Sequence, residues 1–391
     1  MDCPAQAQTL HTQDLDDSKM REFEPTATGA MIMTAENRPS ADFPRPIASP
    51  SGLVARVNAN GSIHRLDHAD IMLNLFPGNE MEGGPANLYL RRLGERIESV
   101  PLLGPHTPGR VECDGQGLRI SGVWRDIRFS LALVLAETAP AWFWHLGLEN
   151  LGAKALTLDL IHTQDLALAH TGAVRLNEYY VSHYLDHTPL AHPRHGWVLA
   201  TRQNQSMGGR HPWCLIGSLG QAASYATDAL QVHGLATRAG REPVALVEGL
   251  PGTRHQHEHG MAALQEAPFS LKPGERATRG FFGWFEADHP DVTTEADLRC
   301  VERALTLPEA TKKPLSPFGE RGWGEGKGDA ASLFASAPIL DCLDLTQGEL
   351  AALFGADWRH LESEDGVLLS FFTDEHTHVV LKPKELRVLR P

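Results

Sequence analysis

Large apolar residues recur at every second position through much of this chain. In Ile127-Arg128-Phe129-Ser130-Leu131-Ala132-Leu133 they alternate with smaller or polar residues. Trp142, Trp144, Leu146 and Leu148 alternate with Phe143, His145, Gly147 and Glu149, and Leu156, Leu158 and Leu160 with Thr157, Asp159 and Ile161. Successive side chains of a strand point to opposite faces, so this pattern predicts strands with one buried face. Turn-rich segments such as Asn58-Ala59-Asn60-Gly61 and Glu149-Asn150-Leu151-Gly152 separate the runs. No long amphipathic helix is predicted before residue 290. Antiparallel β structure is expected over residues 49–290, as a sandwich or a stack of sheets.

The texture changes after residue 290. Thr294 to Leu305 has helical spacing, with Leu298, Val301 and Leu305 on one face and Pro308 beyond. Residues 311–330 read as a Gly- and Pro-rich loop containing Gly319, Gly322, Gly324, Gly326 and Gly328. Thr346-Gln347-Gly348-Glu349 reads as a capping box that opens a short helix. Gly366–Phe372 and Thr377–Leu381 read as a hairpin. Residues 1–48 are polar, carry Pro25, Pro39, Pro44 and Pro46, and read as a poorly ordered tail. The expected organisation is a tail (1–48), a β-sandwich domain (49–306), and a short α+β extension (307–391) formed by a linker, a helix and a hairpin.

Composition narrows the function classes. The 391 residues are 42% hydrophobic and 21% charged, enough for a large core. The net charge is −14. An acidic chain without a basic stripe suits neither nucleic acid nor an anionic membrane. No apolar run approaches a membrane span, and Met1-Asp2-Cys3-Pro4 does not open a secretory signal. The five cysteines are scattered and form no CxxC pair, so a reducing cytoplasm is the expected setting.

Twenty histidines raise the question of metal or acid–base chemistry. His255-Gln256-His257-Glu258-His259 could place three imidazoles on one face of a strand, faintly like a cupin site with Glu266. The spacing is only partly right, and a polar turn is the simpler reading, so no metal is expected. Gly324-Glu325-Gly326-Lys327-Gly328 lacks the Ser or Thr and the flanks of a phosphate loop. The most informative block is Asn177 to Thr188, preceded by His162-Thr163-Gln164-Asp165. It supplies flat phenol faces for sugar C–H groups, and amides and carboxylates for hydroxyls. Gln164, Asp165, Asn177, Glu178, Tyr180, His183, Asp186 and His187 are the candidate groove residues. An edge-strand loop whose polar groups satisfy one another is the plain alternative.

These residues also carry a family resemblance. The block Asn177–Thr188, Thr163-Gln164-Asp165, Ser49-Pro50-Ser51-Gly52 through Ser62, Leu73 to Asn79, and His378 to Leu386 resemble 1,2-β-oligoglucan phosphorylases of glycoside hydrolase family 94, relatives of cellobiose phosphorylase and cyclic β-1,2-glucan synthase. The resemblance implies a mainly-β, galactose-mutarotase-like super-β-sandwich of antiparallel sheets. It implies a β-glucan oligosaccharide as partner, inorganic phosphate as co-substrate, no other cofactor, and possible homodimers. Family members also contain a helical barrel that holds the general acid and the phosphate site. This chain is expected to be a module without that barrel, which would act with it in cis or in trans and not turn over alone. No residue is assigned as catalytic. An apolar surface is then expected on the C-terminal hairpin at Leu368, Phe371, Phe372, Val379 and Leu381. The alternative function is an independent sugar-binding or mutarotase-like domain, with His183 or His187 and Glu178 as acid and base. A cupin-type enzyme using His255, His257 and His259 is the third reading.

Overall fold

The structure, a computed structural model, describes residues 43–115, 117–235, 242–255, 259–311, 351–352, 355–364, 367–373 and 378–380. The chain divides into two compact units, Asp42–Ser336 and a second comprising Met1–Ala41 with Ala337–Pro391.

The first unit is built on a 14-stranded sheet. Its order runs Glu98–Pro101, Asn87–Leu93, Leu156–Asp165, Gly260–Glu266, Ala222–Asp228, Gly196–Gln203, Trp213–Ser218, Arg276–Glu286, Ala141–Asn150, Ile127–Leu135, Gly117–Trp124 and Gly109–Asp114. Leu185–His192 pairs with Gly196–Gln203, and Phe269–Leu271 with Leu156–Asp165. A five-stranded sheet, Arg45–Ala48, Leu53–Val57, Ile63–His68, Ile71–Met72 and Ala169–His170, forms the second layer. The strands expected at 127–133, 142–148 and 156–160 are present and longer than the alternating runs that predicted them.

Among the described residues the named strands pair antiparallel except at a parallel bridge between Gly196 and Ala222, and a second, isolated parallel bridge joins Ala226 to Thr253. Gly196 adopts φ +69°, and a Cβ there would stand 2.0 Å from the Ala222 carbonyl oxygen. Only glycine permits that approach.

The expectation of a single buried face is corrected for the central strands. Trp142, Trp144, Leu146 and Leu148 enter the principal core, together with Ile47, Leu53, Ala55, Val57 and Leu66 of the five-stranded sheet. Ala141 and Phe143 face the other way, into a second core with Trp213, Phe282, Trp284, Val301 and Ala304. The Arg299–Leu305 helix supplies the last two and so roofs the outer face. Ile161 enters a third core under the short helices Ala229–His233 and Val244–Glu248. Alternation survives, but each strand alternates between two cores.

Helices before residue 290 are short: Thr171–Leu176, Glu178–Ser182, Ala229–His233 and Val244–Glu248. The pattern expected at Thr294–Leu305 appears as a 3-10 turn, Glu295–Leu298, capped by Thr294, and the Arg299–Leu305 helix.

In the second unit Arg359–Glu364, Val367–Phe372 and His378–Val380 form a three-stranded antiparallel sheet, with Phe371 opposite Val379. The hairpin was expected; its partner strand Arg359–Glu364 was not. Phe371 was expected to be exposed and is fully buried, stacked on Trp358 at 4.4 Å between ring centroids. Leu368 and Phe372 are half-buried. The Val379 side chain, Leu381, the Gly-rich loop after Thr311, the capping box at Thr346–Glu349 and most of the expected tail lie outside the described residues.

Gly283 is one of the tightest points of the two-faced sheet. A Cβ there would meet the Trp142 indole at 2.1 Å. Gly283→Ala is therefore expected to lower stability by about 1–3 kcal/mol, the usual cost of overpacking. Gly172→Ala, in a helix with open space around the glycine, is expected to leave stability unchanged or slightly higher. Thermal denaturation of the two variants checks this; equal melting temperatures would contradict it.

Candidate functional site

The Leu156–Asp165 strand ends against the loop that follows Met72. Asp165 is fully buried, and its Oδ2 accepts the N–H groups of Leu75 (2.9 Å) and Phe76 (2.7 Å). The chain then leaves the sheet. Leu166, Ala167, Leu168 and Ala169 are buried, and Ala169–His170 pairs with Ile71–Met72. Two short helices follow before the chain returns as the Leu185–His192 strand.

This excursion presents an aromatic surface. Asn177 is extended and caps the second helix, its Oδ1 accepting the Tyr180 N–H at 3.0 Å. The cap sets Tyr179 and Tyr180 on the first turn, 45% and 48% exposed. The Tyr184 hydroxyl donates to the Tyr180 hydroxyl at 2.9 Å, and the rings meet edge to face at 5.1 Å. That hydrogen bond raises the Tyr184 pKa. Tyr179 stands edge-on to Phe76, which stands edge-on to His259. Asp186, at the start of the returning strand, pairs with Arg254 at 2.5 Å, both partly exposed.

The eight candidate residues thus separate by depth. Asn177, Tyr180 and His183 are exposed, and Glu178 and Asp186 are half-buried. Gln164, Asp165 and His187 are buried and use their polar atoms inside the protein. Gln164 Nε2 donates to the Asp165 carbonyl. His187 Nδ1 lies 2.9 Å from Thr201 Oγ1. Burial pushes the His187 pKa down to about 3 and the His259 pKa down to about 4, so both imidazoles are neutral near pH 7. A neutral, enclosed His187 is poorly placed to exchange protons with a sugar, which leaves His183 of the two alternative imidazoles in the mutarotase-like reading. His257 lies outside the described residues, and among the described residues no His, Cys, Asp and Glu side chains cluster as a metal site. No described helix is long and apolar enough to cross a membrane.

Phe76, Tyr179, Tyr184, Arg254 and His259 complete the surface; none was a candidate groove residue from sequence, although Tyr179 and Tyr184 lie in the Asn177–Thr188 block and His259 was weighed there as a metal ligand. Phe76 lies 103 positions before Tyr179 in the chain. Its only local signal was its place in the Leu73–Asn79 stretch.

Residues 56–283 match the model of the SOGP N-terminal domain. The chain belongs to the SOGP N-terminal domain family. Residues 357–391 match the glycoside phosphorylase supersandwich domain, so that name attaches to the small C-terminal sheet. The large sheet carries the SOGP N-terminal match. The chain is 29% identical over 341 residues to a 1,2-β-oligoglucan phosphorylase of Listeria innocua, covering 87% of this chain and 29% of that protein. It therefore spans less than a third of that relative's length. Solved structures similar to it include a polysaccharide lyase (TM-score 0.41, 14% identity, 61% of this chain and 33% of the other). A galactose mutarotase-like protein of Clostridium acetobutylicum aligns with TM-score 0.32 at 9% identity over 62% of this chain and 94% of the other.

Two buried carboxylates of this SOGP N-terminal domain hold their protons to unusually high pH. Burial pushes Asp165 up to about 6, against the two N–H groups that favour its charged form. Burial likewise pushes Glu266 up to about 7, outweighing the Ser218 hydroxyl and Arg279 at 3.6 Å. Both folded values lie above the ordinary ones, so at these two groups the native state binds more protons than the unfolded chain between about pH 4 and 7, while the lowered values of the buried His187 and His259 act in the opposite sense on the whole protein. The stabilising protonation is complete at the acid end of that window and is lost as pH rises through it. Glu266→Gln should thus raise the melting temperature at about pH 8 relative to the parent, by a stability gain on the order of 2–3 kcal/mol, and change little at about pH 4. Melting curves of parent and variant at the two pH values decide; a difference between them that is the same at about pH 4 and about pH 8 would contradict the assignment.

Proposed function

We propose that this chain is the carbohydrate-facing, non-catalytic N-terminal module of a glycoside phosphorylase of glycoside hydrolase family 94 acting on β-1,2-glucooligosaccharides. The match of residues 56–283 to the SOGP N-terminal domain carries the reading. The relative's name supplies the substrate class. The tyrosine surface beside the Asp186–Arg254 pair supplies suitable chemistry, with apolar ring faces for sugar C–H groups and a carboxylate–guanidinium pair for hydroxyls. Inverting phosphorolysis requires a general acid at the leaving oxygen and an anion pocket for phosphate. At the described surface the buried imidazoles are neutral and Arg254 is engaged by Asp186. Catalysis is assigned to a helical-barrel module that works with this one in cis or in trans. Assembly as a homodimer and a cytoplasmic setting belong to the same proposal, and inorganic phosphate enters as co-substrate of the assembled enzyme, with no other cofactor.

The purified chain, incubated with β-1,2-glucooligosaccharides and phosphate, is expected to release no glucose 1-phosphate. Turnover abolished by Glu178→Gln would show a complete active site here and end the proposal. The chain should still bind the oligosaccharide. Tyr180→Ala and Asp186→Ala should each weaken that binding by about 2–10-fold, the scale of one lost ring contact. Calorimetric titration of the three proteins measures it, and equal affinities would remove this surface from the site.

A further inference from the structure

We infer that Gln203 is the positioning residue that fixes the tyrosine surface. It lies on the Gly196–Gln203 strand and is fully buried. Its Nε2 donates to the carbonyl of Ala167 at 2.9 Å and to that of Val181 at 3.2 Å. Ala167 stands where the chain leaves the sheet, and Val181 lies in the last turn of the Glu178–Ser182 helix. One amide therefore ties both ends of the excursion that carries Tyr179, Tyr180 and Tyr184. Its Oε1 accepts the Gln205 N–H at 3.0 Å, and its backbone N–H is held by the Pro212 carbonyl. The head group is thus fixed from its own strand before it meets the two carbonyls. Two neighbouring bonds close the same clasp. Asn204 N–H donates to the Tyr184 carbonyl, and Gly260 N–H donates to Ser182 Oγ.

The residue type follows from the geometry. Carbonyls only accept, so the group between them must offer two N–H bonds on one atom. A Glu would aim an oxygen at both carbonyls, a Met would remove the side-chain donor from both and leave Val181 with its 3.3 Å bond from the Tyr184 N–H, and an Asn is one methylene shorter. A buried acceptor stripped of its donor costs far more than the bond contributed. The end of the helix would therefore detach from the sheet, and the tyrosines with it.

This inference rests on the reading that the surface binds glucan, and the experiment keeps the two apart. Amide hydrogen exchange over residues 175–184 reports the clasp without any sugar; titration with a β-1,2-glucooligosaccharide reports binding. Gln203→Glu should speed exchange in 175–184 and weaken glucan affinity, each by about tenfold (about 1.4 kcal/mol). Gln203→Met, which introduces no charge, should do the same and serves if the Glu variant does not fold. Leu199→Ala, in the principal core on the same strand, should lower the melting temperature without a selective change in 175–184 or in affinity. The clasp is overturned if the Gln203 variants exchange like the parent, or if Leu199→Ala produces the same local change. A parent chain that binds no glucan, with exchange still accelerated in the Gln203 variants, would support the clasp and reject the glucan reading.

Discussion

Coverage of both faces of one sheet is the constraint from which the rest of the first unit follows. A sheet of this width exposes two apolar surfaces, and each must meet another layer. The five-stranded sheet covers one face, the Arg299–Leu305 helix roofs part of the other, and two five-residue helices roof a further part. Trp142 and Phe143, adjacent in sequence, therefore belong to different cores. The helix after residue 290 is then no appendage. Without Val301 and Ala304, the outward side chains Phe143, Phe282 and Trp284 would face water. Arg194 strengthens the roof's attachment from the strand side by holding Glu302 with both carboxylate oxygens at 2.8 Å.

The same covering locates the site. A sheet packed on both faces has no free surface at its centre, so accessible chemistry is left to the ends of strands and to the excursions that leave them. The excursion between Leu166 and Tyr184 is one. It must cross from the large sheet to the small one and back, since Ala169–His170 pairs with Ile71–Met72 before the chain returns as Leu185–His192. Such a crossing strands backbone groups, and the buried polar side chains answer them: Asp165 takes two N–H groups, Gln203 two carbonyls, and Ser182 one N–H. The interior polar residues secure the backbone, while the exposed aromatics on the same segment remain free for a ligand.

The β class and the three central strands could be read from the sequence because period-two alternation is local. The two-core arrangement could not. Phe143, Gly147 and Ile161 read as the lesser face of their strands, and nothing nearby announces that a helix more than 130 residues later covers Phe143. The site was read by composition. The Asn177–Thr188 block contains the right residue types, and Asn177 as a helix cap follows from its position before Glu178. Depth was not readable. Asp165 and His187 look as available as Asp186 in sequence, and only the sheet register puts them inside. Gln203, by contrast, carries no local signal, because its partners Ala167 and Val181 contribute backbone carbonyls and those exist at every residue.

Separating the buried from the exposed polar groups also bears on how such a surface could discriminate ligands. The His187 and His259 imidazoles beneath the tyrosines are neutral, and at the surface Asp186 and Arg254 compensate one another. In a chain of net charge −14 such a surface is poorly suited to draw an anion such as free phosphate. It does offer exposed ring faces, with a hydroxyl pair joining Tyr180 and Tyr184. Discrimination would then depend on shape and hydrogen bonding, which suits an uncharged ligand such as the glucan chain proposed for this surface.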